Sequence, residues 1–132
     1  MKSLIKNLFL RRTLKPPAAV IKGFSDSFHD SINIEWSKTG KVYEALFYEQ
    51  EIEKIARFDK KGILLEIRTN IAPASLAEPS RSAAFANGEI MNVIEINREN
   101  KVFYEVIVRE NPVKRILLLL NDQAEILARK VL

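Results

Sequence analysis

The sequence predicts an α+β fold: two tandem repeats, each a helix followed by four strands, forming an antiparallel sheet with the helices packed on one face. Three observations predict it. The string Tyr43-Glu44-Ala45-Leu46-Phe47 returns 61 residues later as Tyr104-Glu105-Val106-Ile107-Val108, and self-similarity at a fixed offset is the signature of a repeat. Apolar and polar residues alternate through most of the chain, with short turn signals between the runs. Val20, Ile21, Phe24 and Phe28 follow Pro16-Pro17 at helical spacing.

The elements follow in chain order. Residues 1–14 form a basic arm, residues 15–70 the first repeat and residues 71–132 the second. Proline suits the first helical turn, where its missing N–H would have no intrahelical partner, so a helix opens at Pro17. Residues 32–36 alternate as a half-buried strand, with Ile32, Ile34 and Trp36 on one side. Gly40 marks a hairpin turn. Residues 41–48, 52–58 and 63–68 complete the first four strands, with Asp59 to Gly62 as the last turn.

In the second copy Pro79 falls inside the helical region and removes a backbone donor. The helix is therefore expected only over residues 79–86, although Ser75 and Glu78 have the spacing of a capping box. Asn87-Gly88 ends it. Strands follow over residues 90–97, 101–109, 113–120 and 126–131. The expected core comprises Val20, Phe24, Phe28, Ile34, Trp36, Tyr43, Phe47 and Phe58 in the first copy. Tyr104, Val106, Leu118 and Leu120 form it in the second.

Composition narrows the function. The chain has 132 residues, 47% of them hydrophobic, and no cysteine, which removes disulfides and cysteine-based metal or nucleophile chemistry. Lys2, Lys6, Arg11 and Arg12 account for the net charge of +4, because the remaining basic residues equal the 17 acids. A near-neutral body argues against a nucleic-acid face. No apolar run is long enough for stable membrane insertion. Within the arm, Lys6 and Asn7 interrupt the apolar run and Arg11-Arg12 follow it, a poor secretory signal. A signal, an amphipathic surface helix and an arm docked on the body remain three readings of it. The location is cytoplasmic by default.

No constellation carries catalysis. His29 is the single histidine, at a helix end, where a solvated or capping role is the usual one. Glu44 and Glu105 are equivalent in the two copies. They read as two solvated strand residues rather than an acid/base pair, which would require proximity and a shifted pKa. Residues 59–62 supply too few carboxylates for calcium, and no cofactor or metal motif is present. The chain is read as a non-enzyme with no cofactor.

Alternation yields the candidate site. If Tyr43, Ala45 and Phe47 face the helices, then Leu46 and Tyr48 face away, as do Ile107, Leu117 and Leu119 in the second copy. An away face that was merely solvated should be mostly polar, and apolar surface marks interaction. Leu46, Tyr48, Ile107, Leu117 and Leu119 are therefore the expected binding residues, with coverage of this face by Leu4, Leu8 and Phe9 of the arm as the intramolecular alternative.

The order of these motifs resembles a known pattern. Pro17-Ala-Ala-Val20, Ile34-Glu-Trp36, the Gly40 to Phe47 segment and Phe58-Asp-Lys-Lys-Gly62 resemble the PepSY-like, β-lactamase-inhibitor-protein-like (BLIP-like) tandem-repeat proteins of bacteria. Tyr104-Glu-Val106 and Leu120-Asn-Asp122 carry the likeness in the second copy. Pro79 and Arg98, the latter at a tryptophan position, depart from the pattern. The resemblance implies two helix-plus-sheet units, no shared catalytic residues, a binding or inhibitory role, and a family that is often periplasmic or secreted. The resulting reading is a non-enzymatic protein- or peptide-binding module using the sheet face. A homodimer burying that face, and a small-molecule carrier with a pocket between helices and sheet, are the alternatives. The partner is an unknown protein or peptide, or a second copy of the chain.

Overall fold

The computed structural model describes residues 14–132. The readings of the basic arm fall on residues outside this range, apart from Leu14. The chain divides into two compact units between Thr69 and Asn70.

In the first unit, helix α1 (Ala18–Ser27) is followed by strands β1 (Ser31–Thr39), β2 (Val42–Glu49), β3 (Ile52–Phe58) and β4 (Leu64–Ile71), the last two residues of β4 lying beyond the division. Neighbouring strands pair antiparallel in chain order. The turns explain the path. Gly40 has φ +59° at the first of the two residues joining β1 to β2, as a type II′ hairpin requires. Gln50 and Glu51 both take positive φ between β2 and β3, the requirement of the type I′ turn. The Asp59 carboxylate accepts the N–H groups of Lys61 (2.8 Å) and Ile63 (3.1 Å) and closes the β3–β4 turn.

The core of this unit is aromatic. Phe24 on α1 sits 5.0 Å from Phe47, 5.2 Å from Phe28 and 5.4 Å from Trp36, centroid to centroid. Val20, Ala45, Ala56 and Phe58 complete it. The small Ala45 and Ala56 are cross-strand neighbours, which leaves room above the sheet for the rings of α1.

The second unit holds a 3-10 turn (Pro73–Ser75), helix α2 (Ser80–Phe85) and strands β5 (Glu89–Arg98), β6 (Lys101–Asn111), β7 (Lys114–Asn121) and β8 (Ile126–Val131). These strands also pair antiparallel in chain order. The β7–β8 turn is built like the β3–β4 turn: Asn121 Oδ1 accepts the N–H groups of Gln123 and Glu125, both at 3.0 Å. The core is aliphatic, with Leu76 and Ala84 over Val93, Val106, Val108, Ile116, Leu118 and Leu120.

Two expectations are corrected. The class is mainly β, not a two-repeat α+β fold: among the described residues, eight strands stand against one ten-residue helix, a six-residue helix and a 3-10 turn. The reason lies in residues 72–79, where Pro79 disfavours helical backbone at Glu78. The segment makes a 3-10 turn, and the helix starts only at Ser80. The helix falls within the expected residues 79–86, and the Glu78 carboxylate accepts the Ser82 N–H (2.8 Å) and hydroxyl. Finally, Ile34 is 41% exposed rather than in the core. A bulge between Ile32 and Glu35, with Asn33 at φ +55°, breaks the alternation before Trp36.

Candidate functional site

The sheet face opposite the helix follows, within each unit, from register and period. Side chains alternate between faces along a strand, and directly paired residues share a face. In the first unit Ala45 and Phe47 pack with α1, so Leu46 and Tyr48 lie on the other side of β2. Leu46 pairs with Ile55, Glu44 with Arg57 and Tyr48 with Glu53.

Leu46 is 2% exposed and Tyr48 half-buried. The Tyr48 hydroxyl donates to Glu53 Oε2 at 3.0 Å. Around the apolar pair runs a charge ladder. Arg57 Nε donates to Glu44 (3.2 Å) and its Nη1 to Glu66 (2.8 Å), and Arg68 approaches the same Glu66 oxygen at 3.6 Å. Glu44 also accepts the Thr39 hydroxyl. The expectation of a solvated Glu44 is thereby corrected: it is 3% exposed. Burial of a carboxylate is tolerated because each oxygen has a donor. Both oxygens being engaged, Glu44 is built as a strut between strands. Glu105 is half-buried.

In the second unit Val106, Val108, Leu118 and Leu120 belong to the core under α2, so Ile107, Leu117 and Leu119 lie on the opposite side. Ile107 pairs directly with Leu117, and Leu119 with Glu105. On β5, Ile94 pairs with Glu105 and Ile96 with Phe103. Arg98 sits over the Phe103 ring at 5.9 Å. Ile107 is 5% exposed, whereas Leu117 and Leu119 are half-buried. The structure thus brings Ile107, Leu117 and Leu119 together in one patch, and Leu46 and Tyr48 together in the other unit. The Asn92 side-chain amide, on this face opposite Ile107, is buried without a hydrogen-bond partner for its Nδ2.

Sequence reasoning missed Ile94 and Ile96, which lie on the same face and are buried there. The available signal was the pairing of Val93 and Ile94 with opposite faces once Val93 is placed in the core. His29 is exposed. Among the described residues no three His, Asp or Glu side chains gather as metal ligands, and no helix is long and apolar enough to cross a membrane.

No protein-family model and no curated protein sequence matches the chain. Solved structures do match it. A BLIP-like protein from Bacteroides fragilis shares 20% identity at a TM-score of 0.75, over 90% of this chain and 88% of its own. A DUF2874 family protein from Bacteroides ovatus shares 19% identity at a TM-score of 0.79, over 89% of each chain. A protein from Bacteroides eggerthii carrying a provisional periplasmic assignment shares 16% identity at a TM-score of 0.81, over 89% of this chain and 90% of its own. Likeness at these identities establishes a BLIP-like fold.

Proposed function

We propose that the chain is a non-enzymatic binding module that holds a protein or peptide against the sheet face opposite its helices. The observation that carries this reading is the partly exposed trio Leu117, Leu119 and Phe103, which lies beside the buried Ile94 and Ile107 on the same face. These side chains are out of phase with the core under α2. Fully burying a Leu side chain is worth about 1.5–3 kcal/mol, so a partner that covers the remaining exposed part of Leu117 and Leu119 recovers a fraction of that. The name of the BLIP-like neighbour supports an inhibitor-like form of this binding, and the provisional assignment of the eggerthii neighbour supports a periplasmic setting. The carrier alternative has less support in the first unit. There Phe24, Phe28, Phe47 and Phe58 fill the space between helix and sheet.

The test is the double variant Leu117→Glu/Leu119→Glu, followed by circular dichroism, light scattering and partner capture. The expected result is a folded monomer that no longer retains the partner captured by the parent protein. A parent dimer that the variant dissolves would replace this reading with the homodimer. An unfolded variant would assign both leucines to the core and remove the binding face.

A further inference from the structure

A second feature lies at the turn end of the first unit, on the helix side of the sheet. The β1–β2 and β3–β4 turns enclose a cleft of about 450 Å³ lined by Lys38, Lys41, Lys60, Lys61, Tyr43 and Ile63. Its volume falls within the range of small-molecule sites, roughly 300–1,000 Å³. Among the described residues Asp59 is the single acid in the lining, and its Oδ1 already accepts two backbone N–H groups. None of the four lysines makes an ion pair with a described residue. Four lysines against one carboxylate leave the cleft with a net positive charge, which attracts anions.

The fold does not demand these lysines. In the second unit the β7–β8 turn is closed in the same way, by the Asn121 side-chain oxygen instead of an Asp carboxylate, yet Asp122 and Gln123 occupy it. Tyr43 pairs across strands with Lys38, whereas Tyr104 pairs with Glu95. The same scaffold position therefore carries positive charge in one unit and negative charge in the other.

The walls of the cleft are also held in place. A Cβ on Gly62 would stand 2.1 Å from the Ala19 carbonyl oxygen, and one on Gly23 2.2 Å from the Gly62 carbonyl oxygen. Backbone therefore meets backbone where the β3–β4 turn docks on α1. Lys38 Nζ lies 5.2 Å from the Tyr43 ring centroid, and Ile63 is 57% exposed. A charged rim thus adjoins an aromatic and an aliphatic surface.

We infer that this cleft binds a phosphate monoester whose organic part is planar or apolar. The phosphate is the group that several lysine ammonium donors recognise as point charges. Tyr43 and Ile63 take the organic part. The site is separate from the sheet face proposed above, and neither depends on the other.

The experiment titrates isotope-labelled protein with phenyl phosphate and, separately, with inorganic phosphate, reading backbone amide shifts. Saturable shifts are expected at Lys41, Tyr43, Lys61 and Gly62, with inorganic phosphate binding more weakly at the same amides. The exposed pair Lys60→Gln/Lys61→Gln should weaken phenyl phosphate by about tenfold or more, the scale of one lost charge-assisted hydrogen bond. Lys101→Gln/Lys130→Gln should leave it unchanged. Circular dichroism confirms that both variants fold. Equal weakening by the two variants, or shifts spread over all surface lysines, would reduce the site to diffuse attraction and overturn the inference. So would inorganic phosphate binding as tightly as phenyl phosphate. Co-sedimentation with phosphatidylcholine vesicles carrying phosphatidic acid, lost in the Lys60/Lys61 variant, would place the monoester on a lipid headgroup. Phenyl phosphate binding without co-sedimentation would place it on a soluble molecule.

Discussion

Replacing Gly23 with alanine sets two well-understood effects against each other. Gly23 lies inside α1, where alanine is favoured over glycine by about 1 kcal/mol. On propensity alone Gly23→Ala should stabilise the protein. The structure predicts the opposite sign. The new Cβ would stand 2.2 Å from the Gly62 carbonyl oxygen, while ordinary contact begins at 3.4 Å. Helix and turn must part by about 1 Å. The turn has little room to yield, because Gly62 is itself backed by the Ala19 carbonyl and its loop is closed by Asp59. The helix must therefore lift, and Val20 and Phe24, both buried against the sheet, lift with it.

Overpacking of this kind costs about 1–3 kcal/mol or more, and displacement of two core side chains puts this case at the upper end. After the propensity gain, a net loss of about 1–2 kcal/mol is expected. Urea unfolding followed by far-ultraviolet circular dichroism measures it, provided the slope is unchanged. Ser25→Ala, on an exposed position of the same helix, is the control and should change stability by no more than about 0.5 kcal/mol. A Gly23→Ala variant with a higher midpoint than the parent would refute the backbone contact between α1 and the β3–β4 turn.

Two further outcomes are expected. Phe24→Ala should cost roughly 3–5 kcal/mol, the range for truncating a buried aromatic, since Phe24 touches Phe28, Trp36, Phe47 and Phe58; a loss below about 1 kcal/mol in the same unfolding assay would contradict the aromatic core. Burial, then Glu95 and then Asp122, raise the pKa of the Tyr104 hydroxyl above its ordinary value, so the folded state holds this proton more firmly than the unfolded state. Stability from this source is complete below the ordinary tyrosine pKa of about 10 and is lost as pH rises through the raised value. Unfolding measured from pH 8 to pH 11 (about the range that brackets the transition) should fall more steeply for the parent than for Tyr104→Phe, and identical slopes would remove the effect.

Much of the architecture is a property of short stretches and was legible in them. Strand period, hairpin turns and the stripe of α1 depend on residues within a few positions of each other. The assignment of Leu46 and Tyr48, or Leu117 and Leu119, to the face opposite Ala45, Phe47, Leu118 and Leu120 therefore needs only alternation. Other features depend on contacts that local pattern does not encode. Ile34 left the core because a bulge at Asn33 adds a residue to β1, a choice made by pairing with β2. Glu44 is buried because Arg57 and Thr39 reach it from neighbouring strands, and the sequence shows the charges but not their pairing. The late start of the second helix, by contrast, was legible in Pro79, which disfavours helical backbone at Glu78. Lys38 and Lys41 share a cleft with Lys60 and Lys61 only because β2 and β3 return both turns to the same end of the sheet. Local chemistry determined which side most strand residues face. Tertiary packing decided which charges meet, because Coulomb and steric contacts depend on distance in space rather than along the chain.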